Sequence, residues 1–261
     1  MRKAGVVLLL VASIFMTCSY GYCQQAKEKA DQQARTVNFG VLPVLQALPL
    51  FVASEKGYFK AQGLETNLVL FNSAMEKDVA LTAGQISGYF GDILTPMVLN
   101  ANKVPVKMVA TIFNTTKTQR MFAILAAPKY PNKALKDIAH DGIATSSNTV
   151  LEYLTTRLLK AKNIHRNEIN LIEVKSIPIR LQMLLSGQVP AAILPEPLVT
   201  FAQMKGARVL IDDAEAGISA TVLVFNEQFF ATQRALIKAF LTAIDQASAY
   251  INKNPDAVRS I

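Results

Sequence analysis

The sequence predicts an α/β fold of two similar lobes with mainly parallel sheets joined by a hinge. Three observations carry that expectation. Val37 to Phe71 reads as strand, helix, Gly stop and second strand. The same alternation of strands and helices then continues along the chain, and alternating βα units build parallel sheets. Finally, an internal repeat recurs at an offset of 103 residues. Leu81-Thr82-Ala83-Gly84-Gln85-Ile86 aligns with Leu184-Leu185-Ser186-Gly187-Gln188-Val189, Gly40–Ala47 meets Ile143–Val150, and Asp92 meets Pro195, one position from Glu196. Each match is short, but three sharing one offset indicate a duplicated lobe.

The elements follow in order. Val37, Phe39 and Val41 alternate with smaller or polar residues, the period of a half-buried strand. Pro43 and Pro49 bracket the entrance to an apolar helix through Leu50, Phe51 and Val52, and Gly57 ends it. Leu64–Phe71 is a strand. Asn72 and Ser73 can cap a helix whose apolar face reads Met75, Val79 and Ala83, stopped by Gly84. Ile86–Phe90 is a strand, and Asp92 and Thr95-Pro96 open another helix with proline in its first turn. Val104–Ile112 is a strand, Asn114–Thr118 a polar joint, and Arg120–Ala126 the next strand. Ile143–Thr145 ends a strand before Ser146-Ser147-Asn148-Thr149 and a helix over Val150–Ala161. Ile169–Val174 is a strand, Ile179–Leu185 a helix and Ala191–Leu194 a strand. Pro195-Glu196-Pro197 opens a helix to Met204. Ser219–Phe225 is a strand, and a long amphipathic helix runs from about Ala231 to Ile251, broken by Asn254-Pro255.

The N-terminus lies outside this pattern. Arg2 and Lys3 precede an apolar run, Val6–Met16, and Ser19 and Gly21 supply the small residues of a cleavage site. That is a secretory signal peptide over residues 1–23, too short for the roughly 20 apolar residues of a spanning helix. Residues 24–36 form a polar tether. The expected organisation is then a first lobe over 37–115, a second over 116–218 and a return to the first over 219–261. Both cysteines, Cys18 and Cys23, fall in or beside the leader, so a disulfide within the mature fold is excluded. Cys23 is a candidate lipidated residue, although Tyr20-Gly21-Tyr22 fits a lipoprotein signal poorly. The formal charge of +8 falls to +6 without Arg2 and Lys3. The basic residues are scattered, tryptophan is absent, and there is no nucleic-acid face.

Catalytic motifs are missing. The two histidines, His140 and His165, read as loop residues, and no G-x-S-x-G, H-E-x-x-H, G-x-G-x-x-G or P-loop occurs. The expectation is a binding protein, not an enzyme, with no cofactor and no metal. Its site falls where strand ends meet helix N-termini, whose free N–H groups receive polar ligands: Gln46 and Ala47, Asn72 and Ser73, Asp92 and Thr95, Ser146, Ser147, Asn148 and Thr149, and Glu196. The two carboxylates favour a cation or a hydrogen-bond donor, whereas Arg120 and Arg180 lie near enough in sequence to approach an anion. The ligand's charge stays open.

Leu50–Phe71 with its E-K-G-Y-F segment, Ala80–Asp92 and Met183–Pro197 resemble the periplasmic solute-binding proteins of ABC importers, in the branch for nitrate, sulfonates such as taurine, and thiamine-pyrimidine precursors. The resemblance covers nearly all of Val37–Ile261. It implies the type II periplasmic-binding-protein fold, a monomer that closes on a small molecule and hands it to a membrane permease, and ligand contacts at Gln46, Asp92, Ser147 and Glu196. A ligand sensor for a signalling receptor is the alternative, and an enzyme using Asp92 or Glu196 a further one. Two departures stand out. Pro190 replaces an Asp common after the Gly-Gln-Val run, and similar proteins run several tens of residues beyond Ile261, which makes this chain a truncated or a short form. A fungal enzyme branch of this fold uses iron and clustered cysteines; the mature chain holds at most one cysteine.

Overall fold

The computed structural model describes residues 35–261 except 115, 215, 217, 218 and 260. The expected signal peptide and nearly all of the tether lie outside the described residues.

Strand β1 (Thr36–Val41) buries Val37, Phe39 and Val41. A short turn, Leu45–Ala47, leads into α1 (Leu48–Glu55) with Pro49 in its first turn. Gly57, at φ 71°, separates α1 from the single turn α2 (Tyr58–Ala61). The left-handed region suits glycine because it has no Cβ. Strand β2 (Glu65–Leu70) pairs parallel with β1 along its whole length. Then come α3 (Ala74–Thr82), β3 (Gly88–Asp92), α4 (Leu94–Ala101) and β4 (Val106–Asn114). The chain crosses to a second sheet with β5 (Phe122–Ala126), followed by α5 (Leu135–Asp141), β6 (Ile143–Thr145), α6 (Val150–Lys160), β7 (Leu171–Glu173), α7 (Ile177–Ser186), β8 (Ala191–Pro195), α8 (Leu198–Met204) and β9 (Arg208–Asp212). It returns to the first sheet as β10 (Ser219–Asn226) and ends with α9 (Glu227–Thr232) and α10 (Arg234–Lys253).

The sheets have the orders β2-β1-β3-β10-β4 and β7-β6-β8-β5-β9. In each, the strand that arrives from the other lobe runs antiparallel to both its neighbours, and the other four point one way. The sheets are therefore mixed, a feature the βα alternation alone does not reveal.

The repeat is structural. Adding 103 to the bounds of β3 gives those of β8, and α3 likewise falls on α7. Both helices are capped by serine: Ser73 Oγ accepts from Glu76 N at 3.2 Å and Ser176 Oγ from Ile179 N at 3.5 Å. Gly84 and Gly187 both take φ 71° where the helices end.

The first lobe's core gathers Phe39, Phe59 and Phe225 around Phe240 of α10, with ring centroids 4.7, 4.9 and 5.6 Å from it. The second lobe's core lies on both faces of its sheet, with Ile124, Ile138 and Leu154 on one side and Leu125, Leu184 and Leu194 on the other.

Four local readings change. The four-residue spacing marked Met75 and Val79 as core, yet they are 51% and 59% exposed, while Lys77, Ala80 and Leu81 face inward. Lys77 is held inside by Asp78, at 2.6 Å, and by the face of Tyr89, with Nζ 3.4 Å from the ring centroid. Strand β9 was not expected; its three apolar residues follow Gly206 closely and form a sheet edge. The C-terminal helix is two helices divided at Gln233. His140 sits in the last turn of α5 rather than in a loop.

Candidate functional site

The C-terminal ends of β1, β3, β6 and β8 converge between the lobes. Leu42, Asp92, Ser146 and Pro195, at or just past those ends, line one cavity of about 60 Å³. This is where open α/β sheets place ligands, because helix N-termini and free strand ends meet there. Two backbone hydrogen bonds join the lobes beside it: Leu45 N–H donates to Glu196 O at 2.8 Å, and Ile177 N–H to Asn72 O at 2.9 Å. Lys175 Nζ also reaches Met75 Sδ across the divide at 3.0 Å. A wider groove of about 760 Å³ adjoins the cavity, sharing Ala74, Ser146, Thr149 and Lys175 with it.

Of the expected site residues, Gln46, Asp92, Ser146 and Thr149 line the cavity, and Thr95, Ser147 and Asn148 line the groove. The others are engaged elsewhere. Ala47 is in the first lobe's core. Ser73 caps α3, and the backbone of Asn72 bonds Glu76 and Ile177. Glu196 accepts from Arg120 Nε at 2.9 Å and from Thr200 N at 3.1 Å, so both its oxygens serve the fold. Asp92 is committed as well: Oδ1 accepts from Leu94 N and Thr95 N, both at 2.8 Å, and Oδ2 from Thr95 Oγ1 at 3.0 Å. Ser147 bonds Glu173 through both its N–H and its hydroxyl. Asn148 takes φ 60°, a conformation asparagine tolerates better than most residues.

Two cavity groups are not committed. Gln46 is 4% exposed, and neither its Oε1 nor its Nε2 has a protein partner. Arg180 is 0% exposed; its Nη1 donates to Val174 O at 3.2 Å, while Nε and Nη2 bond nothing in the protein. Burial pushes the Arg180 guanidinium down to about 10, against the milder opposing pull of Glu173. It therefore keeps its charge at neutral pH. Buried polar groups almost always find partners, so an unpartnered pair facing one cavity is informative.

Arg180 is the 103-residue counterpart of Lys77. Each is the buried fourth residue of its helix, but Lys77 is neutralised by Asp78 and covered by Tyr89, whereas Arg180 faces the cavity. The rest of the wall is mainly apolar: Leu42, Val44, Phe90, Phe122, Val150 and Ile177. Sequence reasoning missed these because an apolar cavity wall has the same pattern as core. Arg180, named from the sequence as able to approach an anion, stands as a charge in the middle of the run Ile177–Leu185. Among the described residues no cluster of metal-ligating side chains occurs, and no helix is long and apolar enough to cross a membrane.

The model of the NMT1/THI5-like family matches residues 45–258. The chain belongs to that family. A curated relative, the riboflavin-binding protein RibY of Chloroflexus aurantiacus, is 26% identical over 239 residues, covering 86% of this chain and 64% of its own length. The chain thus spans just under two thirds of that relative. Two solved structures superpose with a TM-score of 0.76 at 15% identity: the alkanesulfonate-binding protein SsuA of Xanthomonas axonopodis pv. citri bound to MOPS, and the periplasmic nitrate-binding protein NrtA of Synechocystis PCC 6803. Each match covers 86% of this chain, with 76% of SsuA and 64% of NrtA. These likenesses agree with the resemblance read from E-K-G-Y-F and the Gly-Gln repeats, and with the two-lobed type II fold. Both of these structural relatives are binding proteins for small anions, and NrtA is periplasmic.

Proposed function

We propose that this protein, exported through the leader at residues 1–23, captures a small polar molecule between its lobes and delivers it to the membrane permease of an ABC importer. The carrying observation is the interlobe cavity, walled by strand ends of both sheets, with backbone hydrogen bonds tying Leu45 to Glu196 and Asn72 to Ile177 at its edges. A solute that touches both walls favours the closed arrangement, and a permease can recognise that arrangement. In this reading residues 37–115 with 219–261 form one lobe, residues 116–218 the other, and the two crossings are the hinge. Gln46, Asp92, Ser146 and Thr149 are the contacts nearest the solute. Thr95, Ser147 and Asn148 border its entrance.

The test is a thermal-shift screen of the mature protein against nitrate, alkanesulfonates, organic carboxylates, pyrimidines, amines and riboflavin. A solute at about 100 times its dissociation constant stabilises the folded state by about 2.7 kcal/mol. For a chain of this size that raises Tm by about 5–10 °C. A folded sample that shifts with none of these classes refutes the proposal.

A further inference from the structure

We propose that the solute is a compact organic carboxylate whose opposite end carries an amide-like edge, one N–H beside one C=O, with the carboxylate held by Arg180 and the edge by Gln46. The inference rests on the binding reading above and adds a ligand class to it.

The chemistry follows from which atoms lack partners. Nε–H and one Nη2–H lie on the same edge of a guanidinium and point in parallel, and in Arg180 these are the two nitrogens without a protein partner. That edge matches a planar group with two adjacent oxygens and binds it through two parallel hydrogen bonds. Gln46 offers the complement of an amide: Oε1 accepts an N–H, and Nε2 donates to a C=O. The wall is also polarised. Arg180 and Lys175 stand on the second lobe, and Gln46 and Asp92 on the first. An anionic end therefore belongs against the second lobe and a donor-bearing end against the first. Apolar side chains between them accommodate a small carbon skeleton, and about 60 Å³ restricts its size.

Other classes leave the site incomplete. Nitrate or a simple sulfonate neutralises Arg180 but gives Gln46 Oε1 nothing to accept. A neutral pyrimidine satisfies Gln46 and leaves a buried guanidinium uncompensated. A cationic amine meets Arg180 with the wrong sign. An unmatched buried polar group of the site is what makes such rejection strong.

The experiment is calorimetric titration of the mature protein with three matched sets. L-Pyroglutamate and orotate carry both functions, 2-pyrrolidinone and uracil only the edge, and cyclopentanecarboxylate and benzoate only the carboxylate; nitrate and methanesulfonate complete the panel. The two-function probes should bind at least about 10-fold more tightly than either half. Arg180→Met should weaken them about 100-fold, and Arg180→Lys should not restore them, because an ammonium cannot form the parallel pair. Gln46→Leu should weaken the two-function probes about 10-fold and should not weaken carboxylate-only binding, so that the gap between the two sets closes. Circular dichroism checks that each variant is folded, and Gln46→Leu decides the question if Arg180→Met is not. Tighter binding of nitrate, methanesulfonate or a neutral ring overturns the inference. So does any solute from the wider screen, riboflavin included, whose affinity Arg180→Met leaves unchanged; capture of a solute then stands without this ligand class. Silence from every probe in both screens overturns both.

Discussion

Arg180→Met should make the ligand-free protein more stable. Methionine has about the length of the arginine stem and fills irregular apolar space, and the surroundings of residue 180 include Ile177, Val150 and Leu151 along the same cavity. What the substitution removes is a buried cation with two unmatched donors, and with it one hydrogen bond, Nη1 to Val174 O at 3.2 Å. That bond is worth about 1 kcal/mol. Burial sets the size of the penalty. Desolvation lowers the guanidinium from its ordinary value to about 10, and at about 1.4 kcal/mol per unit the charged form is disfavoured by about 3 kcal/mol. The balance is a gain of about 2 kcal/mol, or a Tm higher by about 4–8 °C.

The guanidinium's folded value lies below its unfolded one, so below about 10 both states hold the proton and wild type bears the full penalty. Above about 10 the folded state gives up the proton before the unfolded one, and wild-type stability rises relative to the variant. The variant's advantage should be flat through neutral pH and shrink above about pH 10. Urea unfolding monitored by circular dichroism measures the difference, with an unchanged m-value as the check on two-state behaviour. A variant that is less stable than wild type in the absence of solute, with the same m-value, refutes the reasoning, because Arg180 would then be supporting the fold rather than awaiting a ligand.

Further outcomes can be checked the same way. Phe240→Ala should cost about 3–5 kcal/mol, since Phe240 is fully buried and touches the rings of Phe39, Phe59 and Phe225; differential scanning calorimetry reads the loss. Gly88→Ala drives a Cβ into Val224 O, a backbone atom that cannot move without distorting the β3–β10 pairing, so stability should fall by about 1–3 kcal/mol in urea titrations. Asp92→Ala removes the acceptor for Leu94 N, Thr95 N and the Thr95 hydroxyl, and a Tm drop corresponding to about 1–2 kcal/mol is expected. Burial raises the Asp213 carboxyl, so its folded value exceeds the unfolded one and wild-type stability falls as pH rises through that window. Asp213→Asn keeps an acceptor for Met121 N and Phe122 N, and its stability relative to wild type should be greater at pH 7 than at pH 4.

The fold was legible because its signals are local and repeated. Serine caps, the left-handed glycines and the offset of 103 are short-range consequences of sequence, and they recur in both lobes with the same roles. The site was only partly legible for the opposite reason. Gln46, Asp92, Ser146 and Thr149 were found because polar residues at strand-to-helix turns are conspicuous. Yet Asp92 and Glu196, the most conspicuous of all, turn out to have their oxygens occupied by backbone and side-chain donors. A carboxylate at a helix N-terminus is used up by the helix, and sequence cannot separate that from one facing a ligand.

The residue that best discriminates, Arg180, lies inside a helix rather than at a strand-to-helix turn. Lys77 and Arg180 occupy equivalent places in a duplicated unit, so each began with the same difficulty, a cation taken out of water. The first lobe resolves it internally: Asp78 pairs with Lys77 and Tyr89 covers it. At the position matching Asp78 the second lobe has Leu181, which cannot pair, and at that matching Tyr89 it has Ala192, too small to cover the charge. The second lobe thus lacks the groups that neutralise the first lobe's buried cation, and its own cation is turned to the cavity. Restoring them makes that argument testable. Leu181→Asp should quench Arg180 within the lobe and abolish binding of carboxylate probes while leaving the secondary structure intact. Carboxylate binding that survives in a folded Leu181→Asp protein would show that Arg180 is not the group that receives it.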